Sequence, residues 1–280
     1  MLTGANDAEL SPVDIKQQMV ELLKRRHTSR ARDDLVEFCK QVEIPGVPIP
    51  EPKEGELFPY KNIPAEHHEL ICKALQDAVD GKGPRNVMLF LPPGTAKSTY
   101  GSVAFPAWFM GRFPNKNVIA TTYNSSFAQK NARKVRTLCK TKEYAEIFET
   151  EINKENSAVL DWSLMNEATY MGGGVMSGIT GNRADLLVVD DPLKTREQAD
   201  SKVIRDKLWD EWQDSLLSRM KPDGIKVIIM TRWHMDDLAG RVLPKDWKGE
   251  SGVVRDREDS EDWNVICLPA ECDRDDDPLG

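Results

Sequence analysis

The sequence predicts an α/β fold in which a mainly parallel β-sheet is covered by helices on both faces. Short apolar runs recur along the chain, and each is followed by a longer segment with helical spacing. The runs are apolar throughout rather than alternating, which is typical of parallel strands buried on both faces. A chain of 280 residues is long enough for one large domain of this kind.

The N-terminal part is predicted to hold two helices and a linker. The stretch "SPVDIKQQMVELLKRR" starts with Ser11 as an N-cap and Pro12 at the first helical position, and "SRARDDLVEFCKQV" follows as a second helix. We therefore assign residues 1–44 to a helical segment and the proline-rich residues 45–63 to a linker. Residues 64–280 are assigned to the α/β domain.

Four buried strands are predicted within that domain. They are "NVMLFL" (86–91), "NVIATTY" (117–123), "DLLVVDD" (185–191) and "IKVIIMTRWH" (225–234). The segment "REQADSKVIRDKLWDEWQDSLLSRM" reads as one long helix after the third strand, and "DDLAGRVL" begins another helix after the fourth. The glycine-rich "MGGGVMSGITGNRADLL" indicates tight turns or close backbone approach, as in a mobile loop.

The charge and hydropathy of the chain exclude some functions. Acidic residues outnumber basic ones, which gives a net charge of −8 and a pI near 5.2, so broad non-specific binding to nucleic acid is not expected. The start "MLTGANDAEL" is not a signal peptide, and no apolar run has the ~20 residues of a membrane span. We expect a soluble, intracellular protein without membrane association.

The stretch "LFLPPGTAKSTYGS" (89–102) predicts a phosphate-binding loop between a strand and a helix. The pattern G-x-x-x-x-G-K-[ST] fails at both glycines, because Leu91 and Ala96 occupy those positions and Gly94 lies between them. A helix N-terminus nevertheless offers free N–H groups to phosphate. The alternative is a structural strand-to-helix turn with an exposed lysine. The predicted nucleotide-binding residues are Pro93, Gly94, Thr95, Ala96, Lys97, Ser98 and Thr99.

An acid pair follows the strand "DLLVVDD" in the form of a Walker B motif. Asp190 is predicted to hold Mg²⁺ together with Ser98, and Asp191 to polarise an attacking water. The alternative is that Asp191-Pro192 forms a turn at the end of the strand. An acid pair downstream of a phosphate loop favours ATP hydrolysis.

Three further residues are candidates for coupling and catalysis. Thr231 could sense the γ-phosphate and Arg232 could transmit that signal, or Thr231 could simply end its strand. Arg183 could complete the active site of a neighbouring subunit as an arginine finger, or form a surface ion pair.

Together these segments resemble the large terminase subunit of tailed bacteriophages, the ATPase motor that packages DNA into procapsids. The matching segments are "LPPGTAKST", "VIATTYN", "TGNRADLLVVDDPLK" and "MTRWHMDDLAGR", in that order. The resemblance implies an additional-strand P-loop ATPase fold, with Lys97 and Ser98 binding ATP and Mg²⁺, Asp190 as the Walker B acid and Thr231 in the coupling segment. Many relatives have glutamate where Asp191 stands as the expected general base. Many also have an arginine or lysine in the loop near Gly94, which this chain lacks, so the resemblance favours a trans finger from Arg183 or a role for Arg232.

The resemblance also implies partners. These are double-stranded DNA, a portal protein and procapsid, a small terminase subunit, and further copies of the chain in a ring, in the host cytoplasm with transient docking at the procapsid. The usual nuclease domain is not visible in this sequence, so nuclease activity is not expected. The segment "KNARKVR", with Lys130, Arg133, Lys134 and Arg136, could contact DNA phosphates or be a solvated helix face.

Two other functions fit the sequence less well. A superfamily-2-like helicase or other DNA-dependent ATPase would need a second RecA-like domain, for which little sequence remains after the Walker B strand. A small-molecule or nucleotide kinase would need a lid and an acceptor pocket, and neither has support in the sequence.

Overall fold

The computed structural model describes residues 11–177, 179, 181–256 and 261–271. Its helices are α1 (Pro12–Asp33), α2 (Leu35–Gln41), α3 (Glu66–Asp80), α4 (Phe105–Arg112), α5 (Ser125–Leu138), α6 (Lys142–Phe148), α7 (Arg196–Asp200), α8 (Lys202–Asp210) and α9 (Leu238–Val242). Its strands are β1 (Asn86–Phe90), β2 (Asn117–Thr122), β3 (Ile152–Ser157), β4 (Asp161–Leu164), β5 (Thr169–Gly174), β6 (Ala184–Asp190), β7 (Met220–Met230), β8 (Gly252–Arg255) and β9 (Asp262–Cys267). No helix in these ranges has the length and apolar character needed to span a bilayer.

The strands form one nine-stranded sheet in the order β3-β4-β5-β2-β6-β7-β1-β9-β8. The six strands from β5 to β9 in that order are parallel to one another, while β3, β4 and β8 pair antiparallel at the two edges. Strand β7 lies between β1 and β6, and this is the additional strand that the resemblance implies. The predicted α/β fold of the additional-strand type is therefore confirmed.

Two hydrophobic cores lie on opposite faces of the sheet. Along β6, Leu186 and Val188 belong to one core, while Leu187 and Val189 belong to the other. The first core includes residues of α2 to α6, and the second includes residues of α7, α8 and α9. Because neighbouring side chains of a strand point to opposite faces, a continuous apolar run is what a doubly covered strand requires.

The N-terminal helices pack on the first face. Ser11 and Asp14 form a capping box at the start of α1, in agreement with the predicted N-cap. Near its end, the Arg32 guanidinium donates two hydrogen bonds, of 2.9 and 2.7 Å, to the Ile147 carbonyl of α6. The irregular proline-rich segment crosses to the helix after the phosphate loop, where the Asn62 side-chain amide donates to the Tyr100 hydroxyl at 2.9 Å.

The single long helix predicted over 196–220 is wrong. Helix α7 ends at Asp200, and α8 begins one residue later because Ser201 has an extended backbone with φ −76° and ψ 110°. Beyond α8 the chain continues as a π-helical segment (Glu211–Leu216) and a 3₁₀ turn (Leu217–Arg219). Helical periodicity alone does not register such a break.

Two other boundaries differ from the prediction. Strand β7 begins at Met220 and ends at Met230, so Thr231 to His234 lie in the loop beyond it rather than in the strand. The first three glycines of the glycine-rich stretch belong to β5, which pairs with β2. A Cβ on Gly174 would lie 3.1 Å from the backbone at Asn124, so close approach is the reason for glycine there.

Candidate active site

The loop between β1 and the following helix contains two left-handed residues. Gly94 has φ +88°, and Ala96 has φ +56° although it is not glycine. The Thr95 hydroxyl donates to the Pro92 carbonyl at 2.8 Å and closes the loop. Such alternation of backbone conformation turns N–H groups toward one point and creates an anion-binding concavity. The loop therefore has the left-handed residues typical of an anion-binding nest, although its sequence departs from the standard phosphate-loop pattern.

Lys97 points from this loop toward the ends of β6 and β7. Its side chain is buried, with 6% of the residue exposed. The ammonium Nζ donates to the Thr231 hydroxyl at 3.0 Å and lies 3.8 Å from Asp191 Oδ2. Three residues predicted from separate segments are thus brought together at one centre.

Asp190 is the last residue of β6 and is buried beside the loop. The Ser98 hydroxyl donates to Asp190 Oδ1 at 2.9 Å, and the Asn131 side-chain amide donates to Oδ2 at 3.2 Å. Burial raises the pKa of Asp190 to about 6, and the neighbouring Asp191 carboxylate contributes in the same direction. Within the described part of the chain, no Lys, Arg or His forms an ion pair with Asp190.

Asp191 joins the ends of two strands and faces outward. It has a left-handed backbone with φ +42°. Its N–H donates to the Ile229 carbonyl at 2.8 Å, and its Oδ1 accepts the Thr231 N–H at 3.0 Å. Its side chain is about a third exposed, at 32%, so it is reachable from solvent. The strand ends at Asp190 and the chain bends at Pro192, while the water-polarising role of Asp191 stays a prediction.

The residues at this centre fit a magnesium ion. A hydroxyl and a carboxylate, from Ser98 and Asp190, lie in contact, and the carboxylate is buried without a cationic side chain of its own. Magnesium takes oxygen ligands and is commonly held by one or two protein groups together with phosphate oxygens and water.

The two candidate arginines lie away from this centre. Arg183 is exposed and precedes β6, so the seven-residue strand separates it from Asp190 by roughly 20 Å at ~3.3 Å per residue. Arg232 directs its Nε to the buried Asp237 at 2.6 Å, and its guanidinium lies about equally far from the Phe90 and Trp247 rings, at 5.3 and 5.4 Å. The role of Arg183 as a finger in a neighbouring subunit and the role of Arg232 in coupling stay predictions.

Two residues that contact the site were not predicted from the sequence. The first is His68 of α3, which accepts the Ala65 N–H at its Nδ1, at 3.1 Å, so its Nε2 carries the proton and donates to the Thr95 carbonyl at 3.1 Å. The His68 ring stacks on Tyr100 with 4.2 Å between centroids. Burial, with a smaller effect of His67, lowers the pKa of His68 to about 4 and keeps the ring neutral.

The second missed residue is Asn131 of α5, the amide that donates to Asp190. In the sequence it is one polar residue among the apolar residues that recur at helical spacing along α5. In the structure it lies on the buried face of that helix and is 9% exposed. His68 gave less signal still, because it stands 29 positions before Lys97, in a separate helix, and no spacing pattern links the two residues. Neither contact can be inferred from local spacing.

A cavity of about 440 Å³ adjoins the loop on the side of Tyr100. The proline-rich segment from Gly46 to Pro50 forms one wall, and Ala96, Thr99 and Tyr100 form the other. A larger open cavity of about 790 Å³ lies on the far side of Arg232, beside Trp247. It is lined by neither the phosphate loop nor the acid pair.

Comparison with known proteins finds a matching family and similar solved structures. Residues 88–270 match the family described as "Terminase large subunit, T4likevirus-type, N-terminal". A structure of a mutant of the Thermus phage P74-26 large terminase ATPase domain is similar with a TM-score of 0.45 and 14% sequence identity, over 73% of this chain and 80% of that chain. A search of curated proteins found no match.

Proposed function

The chain belongs to the terminase large subunit family, T4likevirus-type, and on that premise we propose that it hydrolyses ATP with Mg²⁺ to drive double-stranded DNA into a procapsid. The observation that carries the proposal is the convergence of Lys97, Thr231 and the acid pair at one sheet edge. Ligands of open α/β sheets bind at the carboxyl ends of the strands, where these side chains lie.

The phosphates are held by the loop and by Lys97. The left-handed residues Gly94 and Ala96 turn backbone N–H groups toward the anion, and the buried ammonium supplies a positive charge that solvent screens little. Ser98 and Asp190 would hold the magnesium ion, which neutralises phosphate charge when it is bound. These residues together orient a triphosphate for attack.

Asp191 is the residue that orients the attacking water. Its backbone is fixed by the Ile229 carbonyl and one carboxylate oxygen by the Thr231 N–H, so the other oxygen has a defined direction. Thr231 contacts both Lys97 and Asp191, and this double contact supports its proposed role in coupling phosphate occupancy to the loop after β7.

The cavity beside Tyr100 suits the nucleotide base. It adjoins the start of the helix that follows the loop, and its volume of about 440 Å³ lies within the usual range for small-ligand sites. Its walls combine aliphatic residues such as Val47 and Ile49 with the Tyr100 ring. The proline-rich segment thus becomes part of the ATP site in this proposal, and residues 64–280 supply the rest of the ATPase domain.

The packaging role implies further partners for the chain. We include a portal protein and procapsid, a small terminase subunit and a ring of copies, in which Arg183 would reach a neighbouring site. The helicase alternative gains no support, because in the described ranges β7, β8 and β9 all join the same sheet as β6 and no second sheet forms.

Two substitutions test the proposed function. Lys97→Ala is expected to abolish binding of a fluorescent ATP analogue in Mg²⁺ buffer, whereas Asp191→Asn should bind within about threefold of the unmutated chain and lose at least ~100-fold in phosphate release. The control is Lys82→Ala, which removes an exposed ammonium far from the loop. The proposal fails if Lys97→Ala binds the analogue normally, and the water-orienting role fails if Asp191→Asn turns over at the unmutated rate.

A further inference from the structure

One stretch of this acidic chain contains no acidic residue. Residues 81–142 hold eleven lysines and arginines and no Asp or Glu, although the whole chain has 46 acidic and 38 basic residues. The stretch covers β1, the phosphate loop, β2 and α5. Basic residues concentrated on one region of an otherwise acidic protein indicate a surface for an anionic partner.

Six of the eleven cations are paired with acids from outside the stretch. They are Lys82, Arg85, Lys97, Arg112, Lys116 and Lys142. Among the described residues, the other five have no ion pair, and all lie in α5 or just after it: Lys130, Arg133, Lys134, Arg136 and Lys140. The unpaired positive charge of the stretch is therefore collected on a single helix.

Several exposed cations of other helices pair with acids one turn away, whereas others, in α1 and α8, have no ion pair among the described residues. Lys73 pairs with Asp77, Arg196 with Asp200 and Lys202 with Asp206. Helix α5 contains no acid, and its exposed Lys130, Arg133 and Lys134 are neighbours at helical spacing. Like charges at that spacing destabilise a helix by ~0.2–0.5 kcal/mol per pair. A helix face that was only exposed to solvent would gain no stability from three neighbouring like charges.

The opposite face of α5 reaches the candidate active site. Ala128, Ala132 and Val135 are buried against the domain, and Asn131 donates its hydrogen bond to Asp190. One rigid helix of 14 residues thus connects the basic surface with the acid proposed to hold magnesium. Any force on its outer face acts on an element that contacts the nucleotide centre.

We propose that the outer face of α5, with Lys130, Arg133 and Lys134 at its centre, grips the phosphate backbone of duplex DNA. The inference rests on the proposed packaging function and names the surface that would perform it. The ligand is a regular array of phosphates rather than a base sequence, because lysine and arginine side chains on an exposed helix neutralise backbone charge. The grip is confined to one helix of an acidic protein, so the DNA can be released between steps.

The test compares two triple variants with the same change in net charge. Lys130→Gln/Arg133→Gln/Lys134→Gln removes the proposed contacts, and Lys73→Gln/Arg196→Gln/Lys202→Gln removes three cations of other helices. Binding of a fluorescent duplex of about 30 base pairs is measured by anisotropy between roughly 50 and 200 mM KCl, with Mg²⁺ and a non-hydrolysable ATP analogue. Each lost phosphate contact lowers the slope of log K against log salt by about 0.9.

We expect the α5 variant to lose about 2.7 units of that slope and at least about tenfold in affinity at the lowest salt concentration. The control variant should change the slope by less than about one unit. The charge-keeping variant Lys130→Arg/Arg133→Lys/Lys134→Arg should bind like the unmutated chain, and two duplexes of different sequence should bind alike. Because these side chains are exposed, urea unfolding of all variants should remain cooperative.

Three results would overturn the inference. One is an α5 variant with the same salt slope as the control variant. Another is full loss of binding in the charge-keeping variant. The third is displacement of the duplex by polyglutamate at equal charge concentration, which would assign the surface to an acidic protein. Binding of the ATP analogue to the unmutated chain is measured separately, so a failure of the proposed function is distinguished from a failure of this grip.

Discussion

Ala96 has a left-handed backbone, with φ +56°, at the position where a phosphate loop most often has glycine. For an L-residue with a Cβ, that conformation costs about 1–2 kcal/mol. The loop keeps it because the preceding Thr95 is fixed at both its hydroxyl and its carbonyl, by Pro92 and His68. The departure from glycine is visible in the sequence, and the structure shows which contacts offset the conformational cost of that departure.

Ala96→Gly should therefore leave the free energy of unfolding unchanged or raise it by about 0.5 kcal/mol, because relief of strain exceeds the extra entropy of glycine in the unfolded chain. The matched control is Ala145→Gly, at an exposed position in α6, which should lose about 1 kcal/mol. Urea unfolding of both variants measures the difference. Equal losses at the two positions would contradict the strain at Ala96.

His68 predicts a pH dependence of stability. Its pKa in the folded protein is about 4, below the ordinary value of 6.5, because the neutral ring is half-buried between the loop and Tyr100. Above pH 6.5 the ring is neutral in both states and contributes no pH dependence. As the pH falls from 6.5 to about 4 the unfolded chain takes up the proton first, so the folded state loses stability in that window.

The substitution His68→Gln removes this contribution. Between about pH 7 and pH 5 the unmutated chain should lose about 1 kcal/mol more than the variant, a value reduced for the partial exposure of the ring. The measurement is urea unfolding of both proteins at the two pH values. If both lose the same free energy, the ring is protonated in the folded state and does not donate to Thr95 as a neutral tautomer.

Between elements, the close packing of helices decides which residue a position tolerates, and the local sequence pattern does not show this. Gly111 lies near the end of α4, where a Cβ would overlap the ring of Phe148 on α6. Both residues belong to the buried contact between these helices. In an unobstructed helix, alanine would be better than glycine by about 1 kcal/mol. Here the neighbouring ring reverses that preference.

Gly111→Ala should therefore destabilise the protein by about 1–2 kcal/mol through overpacking. The double variant Gly111→Ala/Phe148→Leu should recover part of that loss, with a coupling energy of at least ~1 kcal/mol in a double-mutant cycle of urea unfolding. A gain in stability for Gly111→Ala alone would show that α4 and α6 separate easily at this contact.

The strands that were predicted from the sequence differ in burial from the strands that were not predicted. β1 and β6 are buried along their full length, so each reads as a continuous apolar run. β3 has the sequence "INKENS" and is mostly exposed, and β5 ends in three glycines. Such strands have no periodic apolar signal, because only one side or one end of them is covered by apolar side chains.

At the scale of the whole molecule, strand order brings the candidate site together. Thr231 follows β7, and β7 pairs with both β1 and β6, so Thr231 lies between Lys97 and Asp191. Arg183 precedes β6 rather than following it, so it lies at the amino ends of the parallel strands, opposite the candidate site. A finger role for Arg183 thus depends on a second copy of the chain.

The class of fold, and the phosphate and metal chemistry proposed for the site, could be predicted from the amino-acid sequence alone. Apolar runs specify buried strands through local burial, and a lysine, a hydroxyl and two acids at strand ends specify phosphate and metal chemistry. The strand order, the contacts of His68 with the loop and of Asn131 with Asp190, and the direction in which the cations of α5 face all depend on how distant segments pack together. Those contacts join residues 27 to 134 positions apart, and their pairing depends on hydrogen bonds and packing between distant segments that leave no local periodicity.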